Sequence, residues 1–185
     1  MSLRLARTAS EAYLYLARQP CEHCGATGFE PERSASEVID GVLARRYSGA
    51  CPSCGMWREY VFRVPDDASV PVDDGSGFGD ATPSELLDPG EWLEIADAMF
   101  AQVPDSPVGL TDEQRREAHA ALGAGVAALA EVVKFIRPGA DSVSPFAFWT
   151  ERGRRFSLDS RWRFDAERLR GELADARSAL AGFAD

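Results

Sequence analysis

All four cysteines of this 185-residue chain lie in two copies of one short motif, "CEHCG" at Cys21–Gly25 and "CPSCG" at Cys51–Gly55, with 26 residues between the pairs. A two-residue spacer lets both sulfurs of a pair face one tetrahedral ion. The following glycine permits a left-handed turn that aims backbone N–H groups at the thiolates. Cys21, Cys24, Cys51 and Cys54 together fill a tetrahedral shell, and structural Zn2+ is the ion such a donor set selects. A shell closed by four thiolates leaves no position for a water whose pKa the metal could lower, so the expected role is structural. Redox disulfides and an iron centre are the alternatives, but a thioredoxin-like motif needs a helix straight after its cysteines and this chain has glycine there.

Other chemistries find less support. "PCEHC" supplies half of a zinc deaminase signature, but no His or Cys precedes Cys21 to supply the other half. His23 sits inside the first knuckle and reads as an exposed passenger beside four cysteines, and His119 reads as an ordinary helix residue. Without a second suitable His, a spare Cys or a Gly-x-Ser-x-Gly elbow, the familiar nucleophilic triads cannot be assembled. Glu91, Glu94 and Asp97 fall at helical spacing and read as a solvated face. "GSGFG" at Gly75–Gly79 lacks the Lys-Ser/Thr ending of a phosphate loop and reads as a turn. No catalytic residue is assigned, and the expectation is a protein that is not an enzyme.

The elements that must position the cysteines are legible nearby. Thr8 and Glu11 make a capping box for a helix from about Ala9 to Gln19, stopped by Pro20. Between the knuckles, "SASEVIDGVLARRY" holds two β-compatible runs joined by Asp40-Gly41, the pair suited to a type I′ hairpin turn. After Cys54, "MWREYVFRV" alternates Tyr60, Phe62 and Val64 on one face, which predicts a third strand. With its two glycine-flanked knuckles and this hairpin, the segment from Pro20 to Val64 resembles a zinc ribbon. The spacer is longer than the commonest range, and the hairpin accounts for the excess.

Downstream, "PDDASVPVDDGSGFGDATP" (Pro65–Pro83) reads as a loop. "TPSE" and "DPGE" each place a cap, a proline and a Glu three residues on, predicting helix starts at Thr82 and Asp88, the second running to about Val103. Thr111 and Gln114 cap the longest helix, ending before Pro138, with Leu122, Val126, Leu129, Val133 and Ile136 as its buried stripe. Its small-residue run "ALGAGVAALA" would let another helix approach closely. A last helix begins near Asp165, with Phe164 and Leu169 as a hydrophobic staple. The fold class is therefore α+β: an N-terminal helix (1–19), a small four-cysteine ribbon (20–64), an acidic linker (65–84) and a predominantly α-helical body (85–185).

The net charge of −10 is concentrated: Val64 to Gln114 contains thirteen Asp and Glu and no Lys, Arg or His. Such a field repels nucleic acid and steers basic proteins. The function expected first is non-catalytic binding of a basic protein partner through Asp66, Asp67, Asp73, Asp74 and Asp80, in the manner of an immunity-like inhibitor of a cationic toxin or nuclease. The alternative is a nucleic-acid-binding regulator in which Arg45, Arg46, Arg58 and Arg63, with Arg33, line one ribbon surface. The stretch Phe146–Phe164 interleaves five arginines with aromatics, as single-stranded nucleic acid sites do. Its aromatics read better as filling between helices and its arginines as partners of the acidic segment. "AYLYLA" near the N-terminus is too short and too close to Glu11 for an export signal, and no run reaches the roughly 20 apolar residues of a membrane span. A reducing cytoplasm is the expected setting. Arg at nineteen of twenty basic positions suggests a high-GC bacterial genome.

Overall fold

A computed structural model describes residues 3–65 and 77–182. It shows the expected α+β mixture: among the described residues, five α-helices and one three-stranded antiparallel sheet. The chain divides into two compact units, Met1–Asp80 with Ser84–Leu86, and Ala81–Pro83 with Leu87–Asp185.

The first unit contains α1 (Ala9–Arg18), β1 (Arg33–Ile39), β2 (Val42–Ala50) and β3 (Trp57–Arg63) in sheet order β1-β2-β3. Thr8 caps α1 as expected, accepting the Glu11 N–H. The Glu11 carboxylate does not close the box on Thr8. It turns to Arg7, accepting its backbone N–H at 2.8 Å and pairing with its guanidinium at 2.7 Å, with both side chains buried. Gly79 makes room for this pair, since a Cβ there would lie 2.7 Å from Arg7 Nε.

The hairpin turn is the expected one: Asp40 (φ 50°) and Gly41 (φ 79°) are both left-handed, and Ile39 pairs with Val42. The register places Tyr47 opposite Tyr60 and Arg45 opposite Phe62, so these side chains share one sheet face. Helix α1 covers it, with Tyr13 packed edge-on against Tyr47 and Tyr15 against Phe62, each at 5.6 Å.

The second unit contains α2 (Pro89–Phe100), α3 (Asp112–Lys134), α4 (Glu151–Asp159) and α5 (Ala166–Gly182). Full capping boxes close α2 (Asp88, Glu91) and α3 (Thr111, Gln114). "TPSE" does not begin a helix. Only five residues separate Thr82 from the Asp88 cap, and Leu86 and Leu87 are both fully buried, an arrangement one exposed turn of helix does not allow. Helix α3 packs against both α2 and α5. Its small residues serve this: the Phe100 ring occupies the space a Gly125 side chain would need, and Leu180 lies beside Gly123. Burial on α3 falls on Val132 more than on Val133, and extends round to Ala127 and Ala128, because two neighbours widen the covered face. The Phe164–Leu169 staple is buried at the start of α5, where Asp165 accepts the Glu167 and Arg168 N–H groups.

Helix α4 lies inside the arginine and aromatic stretch, where the sequence reading placed no helix. One carboxylate explains its position. Asp88 Oδ1 accepts the Gly90 and Glu91 N–H groups at the start of α2, while Oδ2 accepts Thr150 N at 2.9 Å and Thr150 Oγ1 at 2.7 Å. Thr150 in turn caps α4 through Gly153 N–H. Two helix N-termini, each carrying partial positive charge, thus converge on one buried anion. The approach needs glycine on both sides: a Cβ on Gly90 would lie 2.6 Å from the Gly153 carbonyl oxygen.

Candidate metal centre

The two knuckles share one backbone plan. Cys21 N–H donates to Ala26 O and Gly25 N–H to Cys21 O; Cys51 N–H donates to Met56 O and Gly55 N–H to Cys51 O. Gly25 and Gly55 adopt φ of 73° and 72°, the left-handed region in which a side chain would be strained. Helix α1 ends at Arg18, just before Pro20, and delivers the first knuckle, while β2 runs directly into the second. In each pair the first cysteine is buried and the second exposed.

The four sulfurs lie within 4.8 Å of one another, and Cys21–Cys54 and Cys24–Cys51 are each separated by 3.8 Å. A tetrahedron of sulfurs about 2.3 Å from a central ion has an edge of about 3.8 Å. A disulfide requires roughly 2.0 Å, so the cysteines are free thiols arranged to hold a metal ion. His23 is exposed and belongs to no such cluster.

The electrostatics suit a cation. The Ser53 and Cys54 N–H groups hold the Cys51 thiol down to about 6, and the Cys24 and His23 N–H groups lower Cys21 in the same way. Cys54 gains similar help from the Met56 N–H, yet desolvation and the neighbouring sulfurs push it up to about 12. The tetrad therefore reaches four thiolates only when a metal neutralises them, and binding releases protons.

Arg58 is the residue whose role the sequence reading did not find. Placed there among nucleic-acid-binding candidates, it is only 7% exposed. Its guanidinium donates to the Gln19 carbonyl at 3.0 Å, to the Pro20 carbonyl at 3.2 Å and to the Tyr60 hydroxyl, and lies over the Phe29 ring at 4.7 Å. It thus ties the residues just before Cys21 to the strand just after Cys54, and fixes one knuckle against the other. Its i, i+2, i+4 alternation with Tyr60 and Phe62 was the available signal.

The other arginines do not line one surface with it. Strand alternation and register put Arg45 and Arg58 on the α1-covered face and Arg33, Arg46 and Arg63 on the opposite one. Arg46 bridges Glu37 at 2.8 Å and pairs with Glu59; Arg63 pairs with Glu85 and donates to the Leu3 carbonyl.

Of the acidic candidates, Asp66, Asp67, Asp73 and Asp74 lie outside the described residues, and Asp80 is exposed. The rest of the base-free segment is largely engaged within the units. Asp88 and Glu91 are buried caps, Glu85 meets Arg63, Glu94 binds Arg152 at 2.5 Å, and Asp97 binds Arg163 at 2.6 Å. The aromatics divide: Phe148 packs edge-on against Phe164 at 4.8 Å, whereas Phe146 and Trp162 are exposed, as are Met56 and Trp57 beside the second knuckle. No described helix is long and apolar enough to cross a membrane. Comparison with family models, curated proteins and solved structures produced no match, so function rests on this geometry alone.

Proposed function

We propose that the bound ion is zinc, that its role is structural, and that the chain is a non-catalytic binding protein for a basic protein partner, of the immunity-like kind that neutralises a cationic toxin or nuclease. The observation that carries the reading is the sulfur tetrahedron: four thiolates suit zinc and leave it no open position for chemistry. The basic partner is supported by the net charge of −10. Glu85, Glu94 and Asp97 are paired with arginines, and the proposed partner surface is Asp66, Asp67, Asp73, Asp74 and Asp80, with Asp112 and Glu113 at the start of α3 adding to the negative charge. The nucleic-acid alternative is weakened, because its arginines divide between two faces and Arg58 is buried.

Two measurements test the proposal. Elemental analysis of protein purified without added metal should return one zinc per chain; iron or no metal refutes the assignment. A tagged pull-down at low salt, with and without nuclease, should retain a basic protein that leaves as salt rises. The triple variant Asp73→Lys, Asp74→Lys, Asp80→Lys should lose that partner at least ~tenfold. Unchanged retention removes the acidic-surface reading, and capture abolished by nuclease transfers the function to nucleic acid.

A further inference from the structure

The second unit has a surface feature that the acidic-partner reading does not use. Leu158 and Trp162 are 78% and 60% exposed, and Phe146, next to Pro145, is 93% exposed. Leu158 and Trp162 line a groove of about 550 Å3 whose floor includes Val143, Phe148 and Phe164. Large apolar side chains held at the rim of an apolar concavity mark an interaction site on a water-soluble surface.

Two of the three charged residues in its lining are arginines. Arg154 and Arg161 line the same groove. With Ser157 and Leu158 they fall at offsets 0, 3, 4 and 7, one face of α4 continuing into the 3₁₀ turn at Arg161–Phe164. Arg154 donates to a neutral acceptor, the Trp149 carbonyl, which leaves its charge uncompensated. The one acid in the lining, Asp165, is engaged by the N–H groups that open α5. In a chain of net charge −10, this pairing of arginines with exposed apolar residues is a local reversal of the overall field.

We propose that this groove docks a short acidic, amphipathic segment of another protein, with apolar anchors on Leu158, Trp162 and the Phe148–Phe164 floor and carboxylates on Arg154 and Arg161. Such a ligand matches the groove in both chemistry and charge, and recognition of an amphipathic helix by an apolar groove is a common mode. Single-stranded nucleic acid fits less well. Arg168 already stacks over the Trp162 ring at 4.4 Å, so that face of the one exposed aromatic ring in the lining is not open to a stacked base.

The test is selection of displayed random 12-residue peptides on the full-length, metal-loaded protein, followed by fluorescence anisotropy with the winning peptides and with labelled oligo-dT. The expected winners alternate Leu, Phe or Trp with Asp and Glu. They should bind Leu158→Glu and the double variant Arg154→Glu, Arg161→Glu at least ~tenfold more weakly, while shifting Trp emission in the wild type. Leu158 and the arginines are exposed, so helical circular dichroism should be unchanged and the loss readable as lost contact. Winners that are basic, or that bind the variants as well as the wild type, overturn the proposal. Oligo-dT binding that is lost in Trp162→Ala overturns it in favour of nucleic acid.

Discussion

The two units solve the same problem, holding short elements together, by different means. In the first, the knuckles carry no hydrophobic core of their own, and their sulfurs converge on a point that only a cation can make favourable. In the second, no metal cluster was found among the described residues, and helix ends are instead joined by a buried carboxylate, Asp88, shared between α2 and α4. Both are electrostatic nodes, a cysteine tetrad suited to a cation and an anion meeting two helix N-termini. The difference is where the counter-charge comes from: outside the chain in the first unit, the backbone itself in the second.

The largest expected effect separates the units directly. Chelation of the metal, or Cys51→Ser, should forfeit up to about 10 kcal/mol in the first unit. Hydrogen exchange should then show lost amide protection in β2 and β3, with α3 retaining its protection. Equal protection in both units with and without metal would show that the ion is dispensable and dissolve the contrast.

An intermediate effect is expected from Asp88→Ala. It removes the α2 cap and the acceptor of the half-buried Thr150 hydroxyl, costing roughly 2–4 kcal/mol from capping and lost hydrogen bonds together. The denaturation midpoint of the helical signal should fall while metal content stays unchanged. A loss below about 0.5 kcal/mol would mean that the shared carboxylate adds nothing beyond an ordinary surface cap.

The smallest effect sharpens the first node. Cys54 stands at about 12 in the metal-free protein and must give its proton to solvent when metal binds, so apparent affinity should rise with pH through neutrality. Cys51 is lowered to about 6; above that value it is already a thiolate, and below it a further proton must be displaced. Chelator competition between pH 5.5 and 8.5 should therefore show a dependence that steepens as pH falls through about 6. A flat profile would contradict the sulfur electrostatics.

Much of this was legible locally. Cys-x2-Cys-Gly, Asp40-Gly41, and the caps at Thr8, Asp88 and Thr111 are signals within a few residues of chain, and each formed where its local chemistry placed it. Local signals failed where another contact, or the need for burial, competed with them. Glu11 left its own cap for Arg7, and Thr82 did not start a helix because Leu86 and Leu87 had to be buried. Helix α4 was missed because its apolar residues are few and its position is set by Asp88, 62 residues away from Thr150.

By itself, the sequence determined which atoms could hold a metal, because ligand type and two-residue spacing are properties of the local chain. It also determined the class of fold, because period and capping are local as well. Only the tertiary structure decided what each charge does. An arginine in a strand looks the same from its neighbours whether it meets solvent or, like Arg58, two carbonyls and an aromatic ring. The thirteen acids between Val64 and Gln114 read as one field until folding set two of them, Glu94 and Asp97, against arginines from the far end of the chain. Charge is read residue by residue, but its availability depends on burial and partners, which are fixed only when distant segments meet.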